Sequence, residues 1–214
     1  ILEQGSKVFK NWTKTSETPK FAFLETPAWP EADIGAKNAI ETAITSLSSA
    51  CQRERLPDPF SKIIDYHAAV FAAENSHYYG PFLDNHSELL SEKLRDRLIV
   101  SKTTLASEYI AALNARDKIY HSLEALLDDY DAVLCLAATG AAPIGFETTG
   151  SAIFNGLWTY LGVPCLSLPL LTTEKMPLGL QLVGKRGDER KLFETANWIC
   201  LLYTSDAADE SCGV

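Results

Sequence analysis

The sequence predicts an α/β fold, a mixed sheet flanked by helices, on three observations. Cys165 to Leu171 and Leu178 to Val183 are nearly continuous apolar runs, as in strands covered on both faces. A shorter run of the same kind, Ala132 to Leu136, precedes them. Elsewhere apolar residues recur at spacings of three and four, which is the helical period. Both long runs are expected in the middle of the sheet. The polar Thr172 to Lys175 between them suits a hairpin-like connection without the signature of a tight two-residue turn.

Taken in order, residues 1–19 read as a poorly anchored lead-in and residues 20–199 as one partial domain. Phe21 to Leu24 is a short strand, closed by the Thr26-Pro27 and Trp29-Pro30 breaks. Asp33 is placed to cap a helix whose buried stripe is Ala36, Ile40, Ala43, Ile44 and Leu47. The pair Ser48-Ser49 falls inside that amphipathic stretch. After the Leu56 to Phe60 break, a second helix is expected from Ser61 to about Tyr79, ended by Gly80-Pro81. Its Glu74, His77, Tyr78 and Tyr79 have the composition of a substrate entrance, but also of ordinary helix surface, which is the reading favoured. Ser87 to Val100 and Thr104 to Leu127 are two further helices, the second of about six turns. Asp128-Asp129 follows in the connecting turn, where two acids at a helix C-terminus face solvent rather than form a catalytic pair.

Phe154, Leu157, Trp158 and Leu161 give a short helix one apolar face. Gly162 stops it and Pro164 cannot continue it. The last helix runs from Glu189 to Ile199, burying Leu192, Phe193, Ala196 and Ile199. Beyond it the pattern collapses. Residues 200–214 read like the translation of a sequencing adapter in a metagenomic fragment, and a loosely ordered tail is expected there.

Composition narrows the function. A chain of 214 residues with 46% apolar content buries a sizeable core. The net charge of −9 disfavours nucleic acid and anionic membrane as partners. No run of apolar residues approaches twenty, and no leader pattern is visible. The widely spaced cysteines read as buried reduced thiols, and a cytoplasmic location follows. His67, His77, His86 and His121 show no metal-ligand spacing, so neither metal nor cofactor is expected. The sequons at Asn11 and Asn85 matter only in a secreted protein.

The stretch Gly150 to Gly184 carries a family resemblance. Asn155 and Trp158 on a helix, then Gly162-Val163-Pro164, an apolar strand, and Pro177-Leu178-Gly179-Leu180-Gln181-Leu182-Val183-Gly184 resemble the C-terminal part of the amidase signature family. Tyr130 to Leu134, Ala142 to Gly145, Gly187 to Trp198 and Phe21 to Trp29 are similar to other pieces of it, so the likeness covers about Lys20 to Ile199. It implies an incomplete C-terminal half of that fold and a parent enzyme hydrolysing the C–N bond of a small carboxamide.

The two serines of the family's Ser-cisSer-Lys triad lie in a glycine- and serine-rich stretch that has no counterpart here. Ser48-Ser49 lacks the flanking glycines, so no catalytic residue is assigned and the chain alone is expected to be inactive. The resemblance implies that the missing N-terminal half supplies the triad, and that Thr149, Gly150, Ser151, Phe154, Asn155 and Trp158 stand near the substrate acyl group. Read as residues alone, Trp158 is equally plain core, Asn155 a cap, and Gln181 a buried amide in need of a partner. Two departures from the family pattern stand out. Leu136-Ala137 occupies the place where many relatives have proline. Ala152 stands where the amidase-fold chains of glutamine-using transamidosomes carry an acid, which argues against glutamine-dependent tRNA amidation. The alternative reading is a catalytically silent binding or assembly protein of the same fold.

Overall fold

A five-stranded mixed sheet with strand order β2-β1-β3-β5-β4 forms the centre of the protein in a computed structural model that describes residues 17–210. The strands are β1 (Phe21–Leu24), β2 (Cys51–Glu54), β3 (Ala132–Leu136), β4 (Cys165–Thr173) and β5 (Met176–Val183). Parallel pairing joins β1 to β2 and to β3, and antiparallel pairing joins β5 to β3 and to β4. Every residue of β1 and β3 is buried, which is why these short runs are continuously apolar.

Among the described residues six helices accompany the sheet: α1 (Ile34–Leu47), α2 (Ile63–Asn85), α3 (Glu92–Ser101), α4 (Ala106–Leu126), α5 (Ile153–Leu161) and α6 (Glu189–Glu210). Strand register sorts the side chains between two layers. Phe21, Phe23, Leu134 and Leu182 share one face, where the Phe21 ring meets Trp198 of α6 at 6.1 Å. Cys135 and Gln181 lie on the other face, toward α5, which packs in turn on α2 and α4. The expected caps form. Asp33 Oδ1 accepts from Ala36 N at 2.6 Å, and Gly162 ends α5 in the left-handed region.

Several expectations are corrected. Strand β2 has no apolar alternation to announce it, because Gln52, Arg53 and Glu54 belong to an edge strand open to water. Helix α1 ends at Leu47, and Ser48-Ser49 lies in the 3-10 turn that follows, with Ser48 at φ +49°. Helix α2 runs through Gly80-Pro81 to Asn85. One proline removes one backbone donor, and Gly80 before it brings no side chain, so the helix survives. Ser87 to Leu89 is a separate 3-10 turn before α3, whose first turn is capped by Ser91.

Strand β4 lies at the edge of the sheet rather than in its middle, and its Ser167, Pro169 and Thr172 are exposed. The β4–β5 connection is a tight two-residue turn, Glu174-Lys175, with φ of +51° and +64°. Those angles match a type I′ turn, although neither residue is the usual Asn or Gly. The last helix continues past Ile199 because no Gly or Pro interrupts residues 200–210. Leu202 and Tyr203 pack on the core, where the Tyr203 hydroxyl lies 3.2 Å from Ser46 Oγ. Of the expected lead-in, residues 1–16 lie outside the described residues, as do 211–214 of the expected tail.

Candidate functional site

The chain leaves β3 into a long loop, residues 137–152, before α5 begins at Ile153. This loop sits at the C-terminal ends of the parallel strands β1 and β3, the end at which open α/β sheets bind ligands. Its base is held on two sides. On one, Asp33 N donates to Thr139 O at 2.8 Å, and a Cβ on Gly140 would overlap the Asp33 carboxylate, so only glycine fits this approach. On the other, Ala137 N donates to Gly179 O at 3.2 Å, and Asn155 Nδ2 donates to Ala137 O at 3.1 Å.

Between these ties the loop projects, and Ile144 and Phe146 are fully exposed. Its return arm holds three of the residues singled out above. Thr149, Gly150 and Ser151 are all exposed. Gly150, at φ +86°, donates its N–H to Thr148 Oγ1 at 3.2 Å, and Ser151 Oγ accepts from Ile153 N at 3.3 Å. These local bonds fix the backbone of the exposed arm.

Phe154 and Trp158 stand elsewhere. They are 0% and 1% exposed, and the Trp158 ring meets Phe60 edge-on at 6.4 Å. Both belong to the core beneath the loop rather than to an open pocket wall. The helical period that made them an apolar face places that face against the sheet. Asn155, beside Phe154 in the first turn, is exposed and bonded to the loop base. Gln181, buried to 4% exposure, finds the partner its strand position requires by donating through Nε2 to Asn155 Oδ1 at 2.7 Å.

No activated thiol lies among the described residues of this region. Burial pushes Cys165 up to about 12 and Cys51 up to about 11, and it raises Cys135 as well, although the nearby Trp158 indole opposes that rise. The Ser48-Ser49 pair precedes β2, which runs parallel to β1, so it lies at the opposite end of the sheet from the loop. Asp128 pairs with Lys185 at 2.5 Å, in keeping with a surface role. Glu74, His77 and Tyr78 line an open groove of about 450 Å³ with Ala73 and Tyr109, on the helical layer, while Tyr79 does not join them.

One contact was missed from sequence. His67 of α2 packs against α5 where Gly156 leaves room, since a Cβ there would stand 2.6 Å from the ring. A lone glycine in an apolar helix face was the signal. Among the described residues no cluster of His, Cys, Asp and Glu is arranged to hold a metal, and no helix is long and apolar enough to cross a membrane.

Comparison with known proteins gives a consistent set of likenesses. No family model matches the sequence. A glutamyl-tRNA(Gln) amidotransferase subunit from a Nitratiruptor species is 28% identical over 137 residues, covering 59% of this chain and 31% of that protein. The crystal structure of an amidase superposes with a TM-score of 0.77 at 21% identity, over 88% of this chain and 46% of that one. A bacterial aryl acylamidase of the amidase signature enzymes superposes with a TM-score of 0.64 at 14% identity, over 82% of this chain and 41% of that one. The chain thus spans less than half the length of each of these proteins.

Proposed function

The chain belongs to the amidase signature family and holds a C-terminal portion of its fold, and on that premise we propose that it forms one wall of the active site of an amidase cleaving the C–N bond of a small carboxamide. The observation that carries this reading is the tethered loop 137–152 at the C-terminal ends of β1 and β3, with Thr149, Gly150 and Ser151 exposed along its return arm. Hydrolysing an unactivated amide needs a nucleophile, a base and donors for the oxyanion. We assign the Ser-cisSer-Lys triad to an N-terminal portion of the fold and the acyl-group contacts to the loop.

The residues have separate parts in this scheme. Thr149, Gly150 and Ser151 meet the substrate. Asn155 holds the loop that carries them, and Phe154 and Trp158 form the packed floor that keeps α5 in register with the sheet. The sequence relatives are named for amidotransfer to glutamyl-tRNA(Gln). Ala152, standing at the start of α5 in place of an acid, supports a simpler carboxamide instead. The cysteines Cys51, Cys135 and Cys165 are free thiols, which supports a reducing, cytoplasmic setting.

The test is to sequence the source DNA upstream of Ile1, express the joined reading frame, and assay release of ammonia or amine from a panel of simple amides beside the chain alone. Turnover by the joined protein and none by the chain is the expected result. A folded joined protein that turns over no amide would overturn the hydrolase reading in favour of a silent assembly protein.

A further inference from the structure

The site contains a short polar relay that runs from the core to the surface. Cys135 Sγ donates to Gln181 Oε1 at 3.4 Å, Gln181 Nε2 donates to Asn155 Oδ1 at 2.7 Å, and Asn155 Nδ2 donates to Ala137 O at 3.1 Å. It begins at a thiol 1% exposed, passes an amide 4% exposed, and ends on an exposed asparagine at the root of the loop. Three elements contribute, β3, β5 and α5, and the chain of bonds returns to the β3 strand end, two residues beyond where it began.

The direction of every bond follows from the last one. A backbone carbonyl only accepts, so Asn155 must turn its NH₂ to Ala137 and its oxygen to Gln181. Gln181 must then present its own NH₂, leaving its oxygen for the thiol. Turning over Gln181 alone would set two acceptors face to face, and turning over Asn155 alone would set two donors face to face. The two side chains therefore hold one joint orientation, and a buried amide with both ends engaged has no local alternative.

We propose that Gln181 is a positioning residue: by donating to Asn155 it fixes the amide orientation that grips the Ala137 carbonyl, and so sets the base of the 137–152 loop against the sheet. Its meaning for substrate binding rests on the reading of that loop as a pocket wall. The relay itself does not. Gln181 thereby acts on the loop from a strand it never leaves, and it touches no substrate.

The experiment is hydrogen exchange on the full chain, followed in peptides spanning 137–152 and, as controls, in β1 and α1. Gln181→Met keeps the volume and removes the donor, and Asn155→Asp keeps the acceptor and removes the last donor. Each is expected to speed exchange in the loop about ten-fold, as for one lost hydrogen bond, with the controls unchanged. The double variant should add nothing further, because both break one relay.

Gln181→Glu supplies a reading that simple space-filling would not move. Its protonated carboxyl donates to Asn155 and restores loop protection at low pH, whereas the ionised form only accepts and releases the loop as pH rises. The titratable group in direct contact, the Cys135 thiol, and Cys165 beyond it are both raised by burial and stay protonated throughout. Loop exchange at the wild-type rate in both single variants, or a rise matched in β1 and α1, would overturn the proposal. If Gln181→Met fails to fold, Asn155→Asp at its exposed position still decides it. Amide hydrolysis enters none of these readings, so failure of the amidase assignment would leave the outcome intact.

Discussion

The guanidinium of Arg186 lies 3.8 Å above the ring of Tyr120, and its Nε and Nη2 both donate to Leu161 O, at 2.8 and 2.5 Å. One side chain after β5 thus caps the last carbonyl of α5 while stacking on α4. Lysine can match neither the fork nor the stack. Arg186→Lys is expected to lower stability by on the order of 2 kcal/mol in urea unfolding, from a lost charged hydrogen bond plus a lost stack.

The Glu174-Lys175 turn holds two side chains at positive φ, where an L-residue is strained and asparagine or glycine is not. Replacing the pair by Asn-Gly is expected to raise stability by about 1 kcal/mol. A rise in urea midpoint with an unchanged slope would confirm it. A fall would mean that the two side chains contribute more than their backbone costs.

Core and wall separate by mutation. Trp158→Ala and Phe154→Ala are each expected to cost about 3–5 kcal/mol, the usual range for emptying a buried aromatic site. Thr149→Ala and Ser151→Ala should stay within about 0.5 kcal/mol of the parent stability, as exposed positions do. In the joined enzyme these two should instead raise KM.

Burial holds the His67 imidazole below its ordinary pKa of 6.5. The unfolded chain therefore takes up a proton that the folded chain refuses, and stability falls as pH drops below 6.5 until the folded pKa is passed. Urea midpoints at pH values on either side of the ordinary imidazole pKa should differ in that direction. The part of the difference due to this ring should vanish in His67→Leu.

Helix α6 offers a test of where the domain ends. Deleting residues 204–214 is expected to leave the melting temperature close to that of the whole chain. Deleting 200–214 also removes Leu202 and Tyr203 from the core and should lower stability by about 2 kcal/mol or more.

Much of this fold was legible because its signals are local. Asp33 and Gly162 announce a helix start and stop through their own chemistry, and the buried strands β1 and β3 announce themselves by having no polar face. What escaped depends on partners distant in sequence. Strand β2 is a strand because β1 lies beside it, and β4 is an edge because no further strand among the described residues pairs with it, which an apolar run cannot reveal. The tight turn was hidden because its residues are the wrong ones for its angles. At the site, the buried Gln181 in need of a partner was readable from the leucines around it in its strand. Trp158 as plain core was one of the two readings the sequence allowed, since one apolar helix face serves both a core and a pocket.

Strand β4 carries a bulge in which Pro169 and Leu170 stand opposite Gly179 alone, at an open edge of the sheet. Proline offers no N–H, and a bulge breaks the even spacing of the groups around it. A second molecule arriving edge-on would find an interrupted ladder there and, at the far rim, the short charged β2. In the test tube this favours a sample that stays dispersed through concentration. Ile144 and Phe146 are the barest of the exposed apolar side chains among the described residues, so recombinant work should begin by shielding the loop.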